Sequence, residues 1–105
     1  MGVSLPNDSL AGDNLTGANL SNSNLQGTNL KGANLTGADL VGANLIGAVL
    51  RSANLQSGDL TNANLAGSTL QGASLGGVKW SNTLCPDGTN SDAAGSTCVG
   101  HLGKL

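Results

Sequence analysis

Two cysteines and one histidine are the residues of this 105-residue chain best equipped for chemistry, and Cys85, Cys98 and His101 all fall in its last quarter. A nucleophile becomes reactive when a base stands beside it, and acid–base catalysis needs a positioned partner for the titrating group. His101 is the sole histidine and sits in the glycine-containing run Gly100-His101-Leu102-Gly103. It is read as tail packing or as solvent-exposed, no catalytic residue is assigned, and the chain is not expected to be an enzyme. Two cysteines with one histidine also fall short of the four ligands of a structural zinc site, so no metal or cofactor is assigned. What remains is a disulfide or two free thiols. Bridging Cys85 to Cys98 would restrict the unfolded chain by about 3 kcal/mol and would suit a terminal staple, so the bridge is the expected state. A bridge implies an oxidising compartment: the periplasm, the extracellular space or a thylakoid lumen. The export signal, absent from this sequence, would then have been removed.

The carboxylates are sparse. Six Asp and four Lys or Arg give a net charge of −2, too little for the clustered basic surface that nucleic acid or an anionic membrane requires. No run approaches the roughly 20 apolar residues that span a bilayer. Met1-Gly2 is followed by Pro6 where a myristoylation signal carries Ser or Thr, so it receives no function. Asp87, Thr89, Asn90 and Asp92 lie in a Gly-containing loop with a faint likeness to a calcium-binding segment. They lack the D-x-[DN]-x-[DN]-G spacing and the terminal Glu, and Asx-turn chemistry accounts for the same residues.

The elements that must position these groups follow from one periodicity. Leucine stands at every fifth position from Leu5 to Leu75, and Trp80 and Cys85 continue the phase. Two residues earlier sits a small residue, commonly Ala; one earlier, Asn or Asp; two later, Gly. Five residues of helix turn through about 500°, and five residues of strand send successive leucines to opposite faces, so neither straight element is consistent. The pattern closes only if the chain turns a corner every five residues and each short extended side points its Leu and its small residue toward one axis. Gly at the corners supplies φ > 0, with Asn22, Asn62 and Asn82 as substitutes. Four corners make a coil of about 20 residues, and coils stack about 4.8 Å apart. Residues 3–82 then give about four coils.

The repeated A-[N/D]-L-x-G of residues 3–82 resembles the pentapeptide-repeat family. The resemblance implies an all-β fold, a right-handed quadrilateral β-helix of about four coils with an irregular C-terminal cap. Residues 1–82 form the solenoid and residues 83–105 a Cys-containing cap or tail, which is similar to the segment appended to some exported bacterial members. Most members have no established activity; some mimic DNA and bind or protect DNA gyrase.

Within this frame Leu25, Leu30, Leu35, Leu40, Leu45, Leu50, Leu55, Leu60, Leu65, Leu70 and Trp80 are the expected core, with Val78 and Trp80 as a bulky lid at the C-terminal end. Asp8 and Asp13 fill inward positions of the first coil, where a carboxylate in a dry core would be very costly, so they are expected to cap the open N-terminal edge and discourage stacking. Outside, columns such as Asn14, Asn34 and Asn54 are expected to hydrogen-bond coil to coil. Asp39 and Asp59 stack, but Asn19 and Lys79 flank them, which interrupts any DNA-like acidic face. Lys31 and Arg51 stack likewise. The threonine column Thr16, Thr36 ends at Gln56, too short for an ice-binding wall. Val41, Ile46 and Val49 are the largest outward apolar cluster and the first place to seek a protein partner. The expectation is an exported, non-enzymatic structural or protein-interaction module with an unknown protein partner, no nucleic acid and no membrane, monomeric or weakly associated end to end. A gyrase-directed DNA mimic and a calcium-binding surface module are the alternatives.

Overall fold

The structure, a computed structural model, describes residues 2–102, so Met1 and the last three residues of the expected 83–105 tail lie outside the described residues. The corner is the unit that builds it. After each repeat leucine the amide three residues on donates to the leucine carbonyl, as in Ala33 to Leu30 at 3.0 Å and Ala53 to Leu50 at 3.1 Å. Only the second of the two central residues has positive φ, +68° at Gly32 and +59° at Ser52, which is the signature of a type II turn. Every position two after a phase residue, from Asn7 to Asn82, adopts this left-handed conformation. Asn7, Ser52 and Ser57 join the glycines and Asn22, Asn62 and Asn82 there. The serines were not legible as corners, because serine carries no preference for φ > 0 strong enough to mark one.

Four such turns return the chain to its starting azimuth after 20 residues, and each side then pairs in parallel with the side 20 positions on. Asn24 bridges to Asn44, Asn44 to Asn64, Asn34 to Asn54 and Asn54 to Ser74. In each bridge two bonds cross the coils: Leu25 donates to the Asn44 carbonyl at 2.8 Å, and Asn44 donates to the Ser23 carbonyl at 2.9 Å. Wall 1 comprises residues 3–7, 23–27, 43–47 and 63–67; wall 2, wall 3 and wall 4 begin at residues 8, 13 and 18 and repeat every 20. Pairing continues past residue 82. Leu84 bridges to Asn64, and Gly67 donates to the Pro86 carbonyl at 3.0 Å, so wall 1 gains a fifth layer before the repeat ends.

One amide per side, that of the residue after the leucine, has no partner coil to donate to. Its bond explains the Asn/Asp preference. Asn29 Oδ1 accepts from the Lys31 amide at 3.0 Å, Asn54 Oδ1 from Gln56 at 3.0 Å and Asp39 Oδ1 from Val41 at 3.0 Å. These are Asx turns within one side, so the expected coil-to-coil ladder of wall asparagines gives way to bonds along the chain. A bond between coils does occur at a corner, where Asn82 Nδ2 donates to Asn62 Oδ1 at 2.9 Å. Pro6 and Pro86 stand at the same position on sides that carry Ser4 and Leu84 in place of Asn. Proline solves the problem there by removing the donor.

The interior is a column of leucine with alanine between. Leu25 through Leu65 are fully buried at every fifth position, with Ala33, Ala38, Ala43, Ala48, Ala53 and Ala63 filling the small inward sites. Each fully buried leucine is worth about 1.5–3 kcal/mol of apolar transfer.

Candidate functional site

The C-terminal end is where chemistry-bearing side chains gather, and the fifth layer of wall 1 holds them. Thr83 and Cys85 take the two inward positions of that layer and are both fully buried. The Thr83 hydroxyl donates to the Leu60 carbonyl at 2.7 Å, as Thr28 does to Leu5 at 2.6 Å one wall along. After Pro86 the chain reverses, and Leu84 pairs antiparallel with Asn90. Ser91 donates to the Thr83 carbonyl and Cys85 to the Thr89 carbonyl, both at 2.8 Å. The tail thereby covers the upper edge of wall 1.

Cys85 is bonded to Cys98, with Cα atoms 5.4 Å apart, and both are fully buried. Three residues beyond, His101 Nδ1 lies 3.0 Å from Asp87 Oδ2. The other Asp87 oxygen accepts from the Thr89 amide at 2.9 Å. That amide, opposed by a smaller burial effect and assisted by the Thr89 hydroxyl and by His101, holds the Asp87 carboxyl below its ordinary range. The pairing of His101 with Asp87 was invisible in sequence, since residues 88–100 between them carry no periodicity, and the disulfide together with the Asp87 amide, which donates to the His101 carbonyl at 3.4 Å, brings the two together.

The loop that carries the calcium alternative uses its oxygens internally. Asn90 Oδ1 accepts from the Asp92 amide at 2.9 Å, and Asp92 Oδ1 accepts from the Asn82 amide at 2.9 Å. Among the described residues no three His, Cys, Asp or Glu are grouped to hold a metal ion.

Two expected features sit differently from the sequence reading. Trp80, placed in the core and as a lid, is only half-buried, because wall 4 has no layer above it; it packs on the core's end together with Leu75, Val78 and Leu102. Val41, Ile46 and Val49 are half-buried too. Among the described residues the exposed large apolar side chains are instead Val3 at 40 % and Val99 at 57 %. Asp8 and Asp13 lie exposed in the first coil. On wall 4, burial raises the pKa of Asp59, but the Thr61 hydroxyl and amide and the nearby Lys79 outweigh it, and the carboxyl stays below its ordinary range.

A sequence profile for pentapeptide repeats matches residues 14–51 and 43–82. The chain belongs to the pentapeptide-repeat family. Among solved pentapeptide-repeat proteins it is similar to HetL of the cyanobacterium Nostoc sp. strain PCC 7120, a protein involved in heterocyst differentiation regulation, with 38 % identity and a TM-score of 0.69. That likeness covers 83 % of this chain but only 42 % of HetL, so the chain spans less than half of HetL's length. A second pentapeptide-repeat protein from Nostoc PCC 7120 aligns with a TM-score of 0.77 and 30 % identity, over 90 % of this chain and 83 % of its own. No curated protein matches the sequence. The pentapeptide-repeat relatives give the four-cornered coil its hand, a right-handed β-helix. Pentapeptide-repeat proteins are in general structural or interaction modules.

Proposed function

We propose that this pentapeptide-repeat protein is an exported, non-enzymatic scaffold whose rigid walls present side chains to a protein partner. The observation that carries the reading is the Cys85–Cys98 bridge, fully buried at the end of an otherwise cysteine-free solenoid. A cross-link at a terminal cap is useful where thiols are kept oxidised. Burial of the leucine column supports the non-enzymatic part, because side chains fill the axis of the rod.

The DNA-mimic reading has less to stand on. The stacked acids of wall 4 are Asp39 and Asp59, bounded by Asn19 below and Lys79 above, so the negative column is two layers tall. The calcium reading asks for oxygens that already accept amide hydrogens. Alkylation of the protein taken from its own cells, followed by mass spectrometry, tests the proposal. No alkylated cysteine without reduction, and two with it, is the expected result. Two freely alkylated thiols in native protein would sink the export argument.

A further inference from the structure

Wall 2 breaks the rule that the residue after each leucine has its amide capped by an Asn or Asp side chain. Its column in that capping position reads Ser9, Asn29, Val49, Thr69. Asn29 caps Lys31, but Val49 carries no acceptor, and the buried Thr69 Oγ1 has no partner at all. The amides of Arg51 and Gln71 are consequently uncapped, one above the other. No other corner among the described residues stacks two uncapped amides in adjacent layers.

The same corner carries Lys31 and Arg51, both exposed and in adjacent coils. Three Lys or Arg residues fall within the described residues, and two of them share this corner. The ion pair found among the described residues is His101 with Asp87, so neither Lys31 nor Arg51 has a carboxylate within salt-bridge distance. Two unpaired cations thus stand beside two stacked, uncapped amide donors about 4.8 Å apart. Guanidinium and ammonium groups joined to backbone amides are the donor set that recognises a tetrahedral oxyanion.

We propose that the Lys31–Arg51–Gln71 corner binds an oxyanion of the phosphate class, Lys31 and Arg51 supplying charge and the Arg51 and Gln71 amides supplying direction. The ion is either free or carried by a partner. The site is independent of the export reading, since it rests on wall 2 and not on the disulfide.

Amide NMR of the intact protein, titrated with inorganic phosphate at ionic strength held constant by chloride, tests it. The Arg51 and Gln71 amides shift and saturate, while the capped Ile46 amide and the distant Lys79 amide do not. Val49→Asn/Thr69→Asn, which restores the residue used on neighbouring sides, caps both amides without touching a charge and weakens the saturating response about tenfold, as does Arg51→Gln at an exposed position. A phosphoserine peptide that saturates at lower concentration than inorganic phosphate assigns the ion to a partner; equal concentrations assign it to the free ion. A response spread evenly over all amides, one that never saturates, or one that survives the double substitution undiminished overturns the proposal.

Discussion

The two ends of the rod are built from the same repeat and buried to different depths. In the first coil Leu5, Leu10 and Leu15 are half-buried and Asp8 and Asp13 lie exposed at inward phases, whereas at the far end Thr83, Cys85, Ser91 and Cys98 are all fully buried. The difference lies in what stands above each layer. Each solenoid layer packs only on its neighbours, so a terminal layer has one side left to cover. The first coil has one neighbour among the described residues, and wall 1 at the other end has the folded-back tail. Walls 2, 3 and 4 at that same end have no such layer: among the described residues the Leu70, Leu75 and Trp80 amides have no partner, and Leu75 and Trp80 are half-buried while Leu70 stays buried. Leu20 in the first coil and Leu70 in the last are buried nonetheless, so exposure is confined to parts of each end.

That contrast can be broken most forcefully in the middle of the rod. Leu45→Ala opens a cavity with a layer on either side and is expected to cost about 2–5 kcal/mol in urea unfolding, whereas Leu10→Ala, at a half-buried site, costs less than half as much. Equal losses would mean that the first coil is covered in solution. Next comes the staple. Cys85→Ala/Cys98→Ala is expected to lose about 3 kcal/mol, and the loss is local. Hydrogen exchange at Cys85 and Ser91 accelerates, while the Leu45 and Leu50 amides keep their protection; a uniform acceleration along the rod would show that the tail and the coils unfold as one.

Two inward hydroxyls sharpen the same comparison on a smaller scale. Thr83 Oγ1 donates to the Leu60 carbonyl beneath the tail, but Ser68 Oγ, buried on wall 2, has no partner. Thr83→Val is expected to cost about 1–3 kcal/mol by stranding buried polar groups. Ser68→Ala, which brings in the residue already present at Ala48, is neutral or stabilises by about 1 kcal/mol. The urea midpoint of each variant reads the sign directly. Loss of stability in Ser68→Ala would show that water satisfies the hydroxyl.

Much of this architecture was legible because the five-residue period excludes both straight elements, and the leucine column from Leu25 to Leu70 follows from that arithmetic alone. The cysteines could be read as a pair because there are only two. Other features depend on three-dimensional adjacency that no period encodes. Ser52 and Ser57 occupy left-handed corners through the turns around them, the role of Asn as an amide cap emerges only with the corner's geometry, and Trp80 follows the leucine phase but has no layer above it. The tail was the least legible part. Its reversal at Pro86 and the meeting of His101 with Asp87 rest on one covalent bond and on backbone pairing that no period announces.

The smallest expected effect tests whether that bond has help. The Asp87 carboxyl sits below its ordinary 3.8, so its contribution is present above that value and is lost as pH falls through the lower folded value. Asp59, also held below 3.8, does the same in the middle of wall 4. Thermal melts from pH 6 to pH 2 should therefore show stability declining only once the pH drops below about 4, and most of that decline should remain in Asp87→Asn, because Asp59 and the core are intact. The variant should be less stable than the parent above pH 4 and converge on it at pH 2. A constant gap across the whole range would assign the loss to the Asp87 side chain's packing, and the cap would then be held by its disulfide and backbone pairing alone.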